Sequence, residues 1–188
     1  MRTPAYLCAL FCTAILTQSI SDATHTDTLK QEAATLIPSF AKHLMDTVQQ
    51  AKADGGPVAA VNACQALAPD IAAEHSNSNW KVGRTSLKIR SAANIPDDWE
   101  RDVLQQFAER AAQGEDVKSI SYAQTVDGQF RLMKAIPLQE GCLGCHGAQI
   151  KPDIAAALDE KYPNDKARGY SAGELRGAFT LRHIGQAQ

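Results

Sequence analysis

The stretch Val117-Lys118-Ser119-Ile120-Ser121-Tyr122-Ala123-Gln124-Thr125-Val126-Asp127-Gly128-Gln129-Phe130-Arg131-Leu132-Met133-Lys134-Ala135-Ile136-Pro137-Leu138 decides the fold class. Asp127-Gly128 is the two-residue signature of a type I′ turn, in which both central residues take positive φ. It predicts a hairpin of two antiparallel strands, 117–126 and 129–138. Beyond the hairpin, residues 153–160 suit a short helix, and Leu175, Gly177, Phe179 and Leu181 alternate as a closing strand. Before it, Trp99, Val103, Phe107 and Ala111 recur at helical spacing within 97–113, and Leu87 and Ile89 sit in a polar alternation that reads as a strand over 82–90.

Further toward the N-terminus, Leu29, Ala33, Leu36, Ile37, Phe40, Leu44 and Val48 form the apolar stripe of a helix over 28–52. Thr28 and Gln31 are spaced as its capping box, and Pro38 is expected to kink it. Asp54-Gly55-Gly56 ends this helix, and Pro57 opens a second one, where a first helical turn tolerates proline. Val58, Val61, Cys64, Leu67, Ala68 and Ile71 share one stripe of that second helix, which Pro69 is placed to bend. The two helices predict an antiparallel helical hairpin feeding an antiparallel sheet with helices packed on it, an α+β domain.

Residues 1–23 read as a secretory signal peptide, with Arg2 in the basic n-region, an apolar run from Ala5 to Leu16, and cleavage after Ser21-Asp22-Ala23. The apolar run falls short of the about 20 residues that a span needs, so no stable membrane span is expected after cleavage. Residues 24–188 then make one domain. Nineteen Lys and Arg against 21 Asp and Glu, dispersed along the chain, leave no basic footprint for nucleic acid. Loss of the signal would remove Cys8 and Cys12 and leave Cys64, Cys142 and Cys145, an odd set that argues against a disulfide framework in an oxidising compartment.

The chemistry concentrates in Cys142-Leu143-Gly144-Cys145-His146. Two cysteines three apart can each add across a haem vinyl group, and the histidine that follows lies beneath the iron as proximal ligand. An export signal on the same chain matches the compartment in which bacterial c-type haem is matured. A structural zinc site needs a second ligand pair, which the downstream sequence lacks. A redox dithiol would open a helix after a strand in a βαβ pattern, which is also missing. One covalent haem c is therefore the expected cofactor.

The sixth ligand is open on spacing alone, with Cys64, Met45, Met133, His25, His43, His75 and His183 as candidates. Cys64 stands out because it lies mid-stripe on an apolar helix with no disulfide partner. His75, about 16 Å further along a straight helix, cannot share one iron with it. Arg84, Lys88 and Arg90 share a face if 82–90 is a strand, so Arg84 and Arg90 are candidate contacts to haem propionates; a solvated face is the plainer alternative. Trp99, Tyr162 and Tyr170 read as packing residues.

The chain resembles a bacterial family of single-haem c-type domains with a PAS-like fold, long catalogued as a domain of unknown function and often found in periplasmic sensors. The resemblance rests on Ala63-Cys64-Gln65, Ala68-Pro69-Asp70-Ile71-Ala72, Gly83-Arg84-Thr85-Ser86 with Arg90, Asn94-Ile95-Pro96-Asp97-Asp98-Trp99-Glu100, Cys142 to Gly147, Tyr162-Pro163-Asn164-Asp165 with Ala167, Gly169-Tyr170, and Gly173 with Arg176-Gly177-Ala178. It departs at Ser91-Ala92, where the family pattern has Asn-Pro. The resemblance implies a PAS-like antiparallel sheet and a Cys64 thiolate on the iron opposite His146. A thiolate stabilises ferric iron and lowers the potential, which suits a sensor. The expected role is a periplasmic redox or small-ligand sensor that acts through an unknown redox or signalling protein, with a small gas as a candidate ligand. Periplasmic electron transfer is the runner-up, and a peroxidase-like enzyme comes third because no acid, base and distal arginine can be assigned.

Overall fold

A computed structural model describes residues 12–185, with side chains from residue 24 onward. The expected signal peptide, 1–23, lies outside the residues whose side chains are described. No helix among the described residues is long and apolar enough to cross a membrane.

Helix α1, Cys12–Glu74, is two helical arms joined at Gly56, the one residue within it with non-helical dihedrals (φ 78°, ψ −174°). That region of conformational space is essentially restricted to glycine. The arms fold back on each other. His43 Nδ1 lies 3.2 Å from His75 Nε2, whereas a straight helix would hold the two residues about 48 Å apart. The helical hairpin is thus as expected, but two local features differ. Thr28 does not begin a helix; its hydroxyl donates to the Thr24 carbonyl one turn back, inside a helix that is already running. Pro38 and Pro69 both lie within α1 without taking its dihedrals out of the helical range.

Four strands follow: β1 (Trp80–Thr85), β2 (Ser121–Val126), β3 (Gln129–Pro137) and β4 (Leu175–His183), in the order β1-β4-β3-β2 and all antiparallel. Positive φ at Asp127 (50°) and Gly128 (77°) makes the β2–β3 turn that the sequence predicts. β2 begins at Ser121 rather than at Val117, because residues 117–120 form the turn leaving the preceding helix. The closing strand inserts between β1 and β3, which completes the α+β architecture.

The sheet has helices on both faces. Phe130 and Leu132 point to the face covered by α1 and join Leu29, Ala33, Phe40, Leu44, Ile71, Trp80, Val82 and Leu181 in one buried cluster. The alternate residues Met133 and Ala135 point the other way, onto Val103, Leu104 and Phe107 of α2 (Asp98–Ala112). Asp97 and Glu100 form a reciprocal capping box at the start of α2. Helix α3 (Leu143–His146) is a single turn carrying the cysteine motif, and α4 (Pro152–Lys161) packs Ile154 and Leu158 against Val61 of α1.

The strand expected over 82–90 stops at Thr85. Ser86 ends it: its hydroxyl donates to the Arg176 carbonyl at 2.8 Å and accepts the Lys88 N–H at 3.2 Å, a side-chain turn that competes with the ladder. Arg84, Lys88 and Arg90 therefore do not share a strand face. Ser91, at the departure from the family pattern, accepts the Ala93 N–H and caps the short 3-10 helix Ala92–Asn94.

Candidate functional site

A cavity of about 530 Å³ lies against the exposed edge of β1, within the range that holds a cofactor. Its walls bring together Phe40, Cys64, Ala68 and Ala72 from α1, Val82 and Arg84 from β1, Tyr162, and His146 from the motif turn. Cys64 and His146, some 80 residues apart in sequence, thus line one cavity from two independent elements. Of the seven candidates for a ligand opposite His146, Cys64 alone lines it. His43 and His75 bond to each other, His183 packs edge-on against Trp80, and Met133 is buried on the opposite face of the sheet.

The orientation of His146 is fixed by its neighbours. Its Nδ1 lies 2.8 Å from the Ala167 carbonyl oxygen, and because a carbonyl can only accept, Nδ1 carries the proton. Nε2 then holds a lone pair, the arrangement that a metal-ligating histidine requires. Burial, with Arg90 and Arg176 close by, pushes the imidazole pKa down to about 3, so the ring is neutral. The backbone on either side is also tied: the Tyr170 N–H donates to the His146 carbonyl at 3.0 Å, and the Gly169 N–H to the Gly147 carbonyl at 3.0 Å.

Arg90 braces this turn from beneath. Its Nε donates to Asp165 Oδ1 at 3.1 Å, and its terminal nitrogen donates to the carbonyls of Cys145 (2.5 Å) and Ala167 (3.2 Å). Asp165 is buried and also accepts from Arg168 Nε and the Ala167 N–H. Burial raises its carboxyl pKa, but these donors outweigh burial and hold the group ionised below the usual carboxylate range. A strand face open to solvent, the plainer expectation for Arg90, does not describe a side chain only 9% exposed. Arg84 does line the cavity.

Cys142 and Cys145 lie on the turn beside the cavity and are not among its lining residues. Cys142 packs against Leu138, Ala167 and Tyr170, and Cys145 against Val61, Ile154 and Leu158. Both are half-buried free thiols, as is Cys64. Burial pushes the Cys145 thiol pKa up. Among the described residues no three His, Cys, Asp or Glu side chains converge as a metal cage. The donor set is instead one free imidazole nitrogen and one cysteine on a shared cavity. That set fits a haem, whose macrocycle brings its own four equatorial ligands, and the apolar wall from Phe40 to Val82 fits its faces.

A model of the Tll0287-like family matches residues 14–183. The chain belongs to the Tll0287-like family. It is also similar to a solved structure described as that of the cyanobacterial heme-protein Tll0287, with 26% sequence identity, a TM-score of 0.58, and coverage of 84% of this chain and 97% of that one. No curated protein matches.

In this Tll0287-like chain the sequence does not show what Asp165, Ala167 and Arg176 do. Asp165 and Ala167 fall within the family pattern around Tyr162, yet their work is to hold Arg90 and His146, and nothing local shows a contact that spans 75 residues. Tyr162 and Tyr170, read as packing residues, are indeed buried in apolar clusters, and Tyr162 lines the cavity as well. Trp99 is only partly buried; its Nε1–H donates to Gln124 and its ring lies 4.3 Å from the Arg131 guanidinium.

Proposed function

We propose that this protein binds one c-type haem covalently through Cys142 and Cys145, with His146 and Cys64 as axial ligands, and that it acts in the periplasm as a redox or small-ligand sensor for a partner protein. The observation that carries this reading is the His146 imidazole, protonated on Nδ1 by its bond to Ala167 and sharing a cavity with Cys64. Membership of the family and likeness to a heme-protein support the haem itself. The cysteine spacing supports covalent attachment, and the N-terminal sequence supports export.

When bound, the haem supplies an iron centre whose ferric state an anionic thiolate favours. His146 is held by Ala167 and the braced turn, and so stays in place. Cys64 sits on the second arm of α1, beyond the Gly56 joint, so a bond from it to the iron would link the haem to the helical hairpin. In the sensor reading Cys64 would be the residue that lets go on reduction, which would open a position for a small gas or a replacement side chain, and the second arm of α1 would carry the change to the partner.

The test is to record ferric and ferrous absorption spectra of the haem-loaded protein, with and without carbon monoxide, beside the Cys64→Ala variant. A sensor shows thiolate ligation in the ferric state and carbon monoxide binding after reduction, and Cys64→Ala changes the ferric spectrum. An electron carrier keeps six-coordinate iron in both states and ignores carbon monoxide. A ferric spectrum unchanged in Cys64→Ala removes the basis of the switch.

A further inference from the structure

Five cations line the cavity, namely Lys81, Arg84, Arg90, Arg176 and Arg182, against two carboxylates, Asp97 and Glu100. Both carboxylates are committed elsewhere. Asp97 Oδ2 and Glu100 Oε1 pair with Arg131 on the α2 face of the sheet, Glu100 Oε1 also accepts from Thr180, and their remaining oxygens accept from backbone N–H groups in the capping box. Asp165 is similarly filled, by Arg90, Arg168 and the Ala167 N–H.

Arg176 is left with neutral partners. It donates to the Ser86 hydroxyl at 2.9 Å and the Lys88 carbonyl at 3.2 Å, and its guanidinium lies 5.7 Å from the centre of the Tyr170 ring, which in turn packs edge-on to His146. Among the described residues neither Arg176 nor Arg84 makes an ion pair. Burial lowers the Arg176 pKa, and the like charges of Arg90 and Arg84 add to the effect. A guanidinium taken out of water without a counter-ion is costly, and a fork of N–H donors is suited to carboxylates.

We infer that Arg176 and Arg84 form an anion site on the cavity wall that takes the two propionate carboxylates of the haem. The inference rests on the haem reading above and deepens it. Arg90 spends Nε and one terminal nitrogen on Asp165 and the carbonyls of Cys145 and Ala167, which makes it a positioning residue for the motif turn; its other terminal nitrogen has no hydrogen-bond partner among the described residues. Ser86, which ends β1, sets Arg176 in place and so links the early end of that strand to the site. The two cations would keep the carboxylates ionised, in the cavity that His146 also lines.

The experiment uses the full haem-loaded chain. Midpoint potentials are measured against pH over about pH 5 to 8 for the wild type, Arg84→Gln, Arg176→Gln and Arg176→Lys. In the wild type the propionates stay ionised and the potential changes little across the range. Each Gln variant lowers the potential, because a cation near the iron is lost, and introduces a pH-dependent step as a carboxylate titrates; Arg176→Lys restores the higher potential in part. The Arg84 side chain makes no hydrogen bond or ion pair among the described residues, so its variant keeps the test informative if Arg176→Gln fails to fold. A potential–pH profile identical in wild type and Arg84→Gln overturns the inference. So does a saturable shift when inorganic phosphate is added to the haem-loaded wild type, since that would mean the site stands open to free anions. A wild-type chain that carries no haem overturns the underlying reading instead.

Discussion

His146 Nδ1 lies 2.8 Å from the carbonyl oxygen of Ala167, and the N–H of the same Ala167 donates to Asp165 Oδ1 at 2.8 Å. The residue whose carbonyl orients the imidazole is thus held at its own N–H by a buried carboxylate that also holds Arg90 and Arg168. Arg90 closes the ring by donating to the carbonyls of Ala167 and Cys145. A carbonyl partner fixes the histidine tautomer, and a bonded network fixes the carbonyl.

Asp165→Asn tests that network. The amide removes the charge facing Arg90, a guanidinium only 9% exposed, and leaves it without an ionic partner. Breaking a buried pair from one side costs about 3 kcal/mol, a drop of roughly 6–12 °C in melting temperature for a domain of this size. Thermal unfolding of the variant beside the wild type reads the difference, and a loss under about 1 kcal/mol would show that the network does not hold the turn.

What the sequence made legible is what local spacing encodes. Asp127-Gly128 marked its turn because two consecutive positive φ values need those residue types, and Gly56-Pro57 marked the joint of the helical hairpin for the same kind of reason. The early end of β1 was hidden, because it depends on Ser86 reaching Arg176, 90 residues away. Arg90 alternates like a strand residue, although its partners lie at Cys145, Asp165 and Ala167. Cys142, Cys145, His146 and Cys64 were visible because a short spacing and an unpaired cysteine are local facts; the carbonyl that orients His146 is not.

Gly56→Ala tests the joint of α1. No atom lies within 4 Å of an added Cβ there, so the cost comes from backbone conformation alone. At φ 78° and ψ −174° a non-glycine residue is strained by about 1–3 kcal/mol. Denaturant unfolding should show a lower midpoint with an unchanged slope. Stability equal to the wild type would mean that the joint is not held in this conformation.

Asp97 gives a pH dependence of defined sign. Burial raises its carboxyl pKa, but the bonds from Arg131 and the Glu100 N–H, with the charges of Arg131 and Arg182, outweigh burial and leave it below its ordinary value. A depressed folded pKa contributes stability that is complete above the unfolded value of about 4 and is lost as pH falls through the folded one. Asparagine caps helices as well as aspartate, so Asp97→Asn removes the charge and keeps the cap of α2. The variant should start less stable at neutral pH and lose less between about pH 5 and pH 3. Parallel acid-unfolding curves for the two proteins would contradict this.

We propose that Cys142 and Cys145 bind a haem for which His146 and Cys64 would supply the axial ligands. The most direct test of this is intact-mass measurement of the denatured protein after expression with c-type haem maturation. One haem should stay on the polypeptide through acid–solvent extraction and be lost from the Cys142→Ala/Cys145→Ala double variant. A purified chain with no haem, or one whose haem extracts completely, would contradict it.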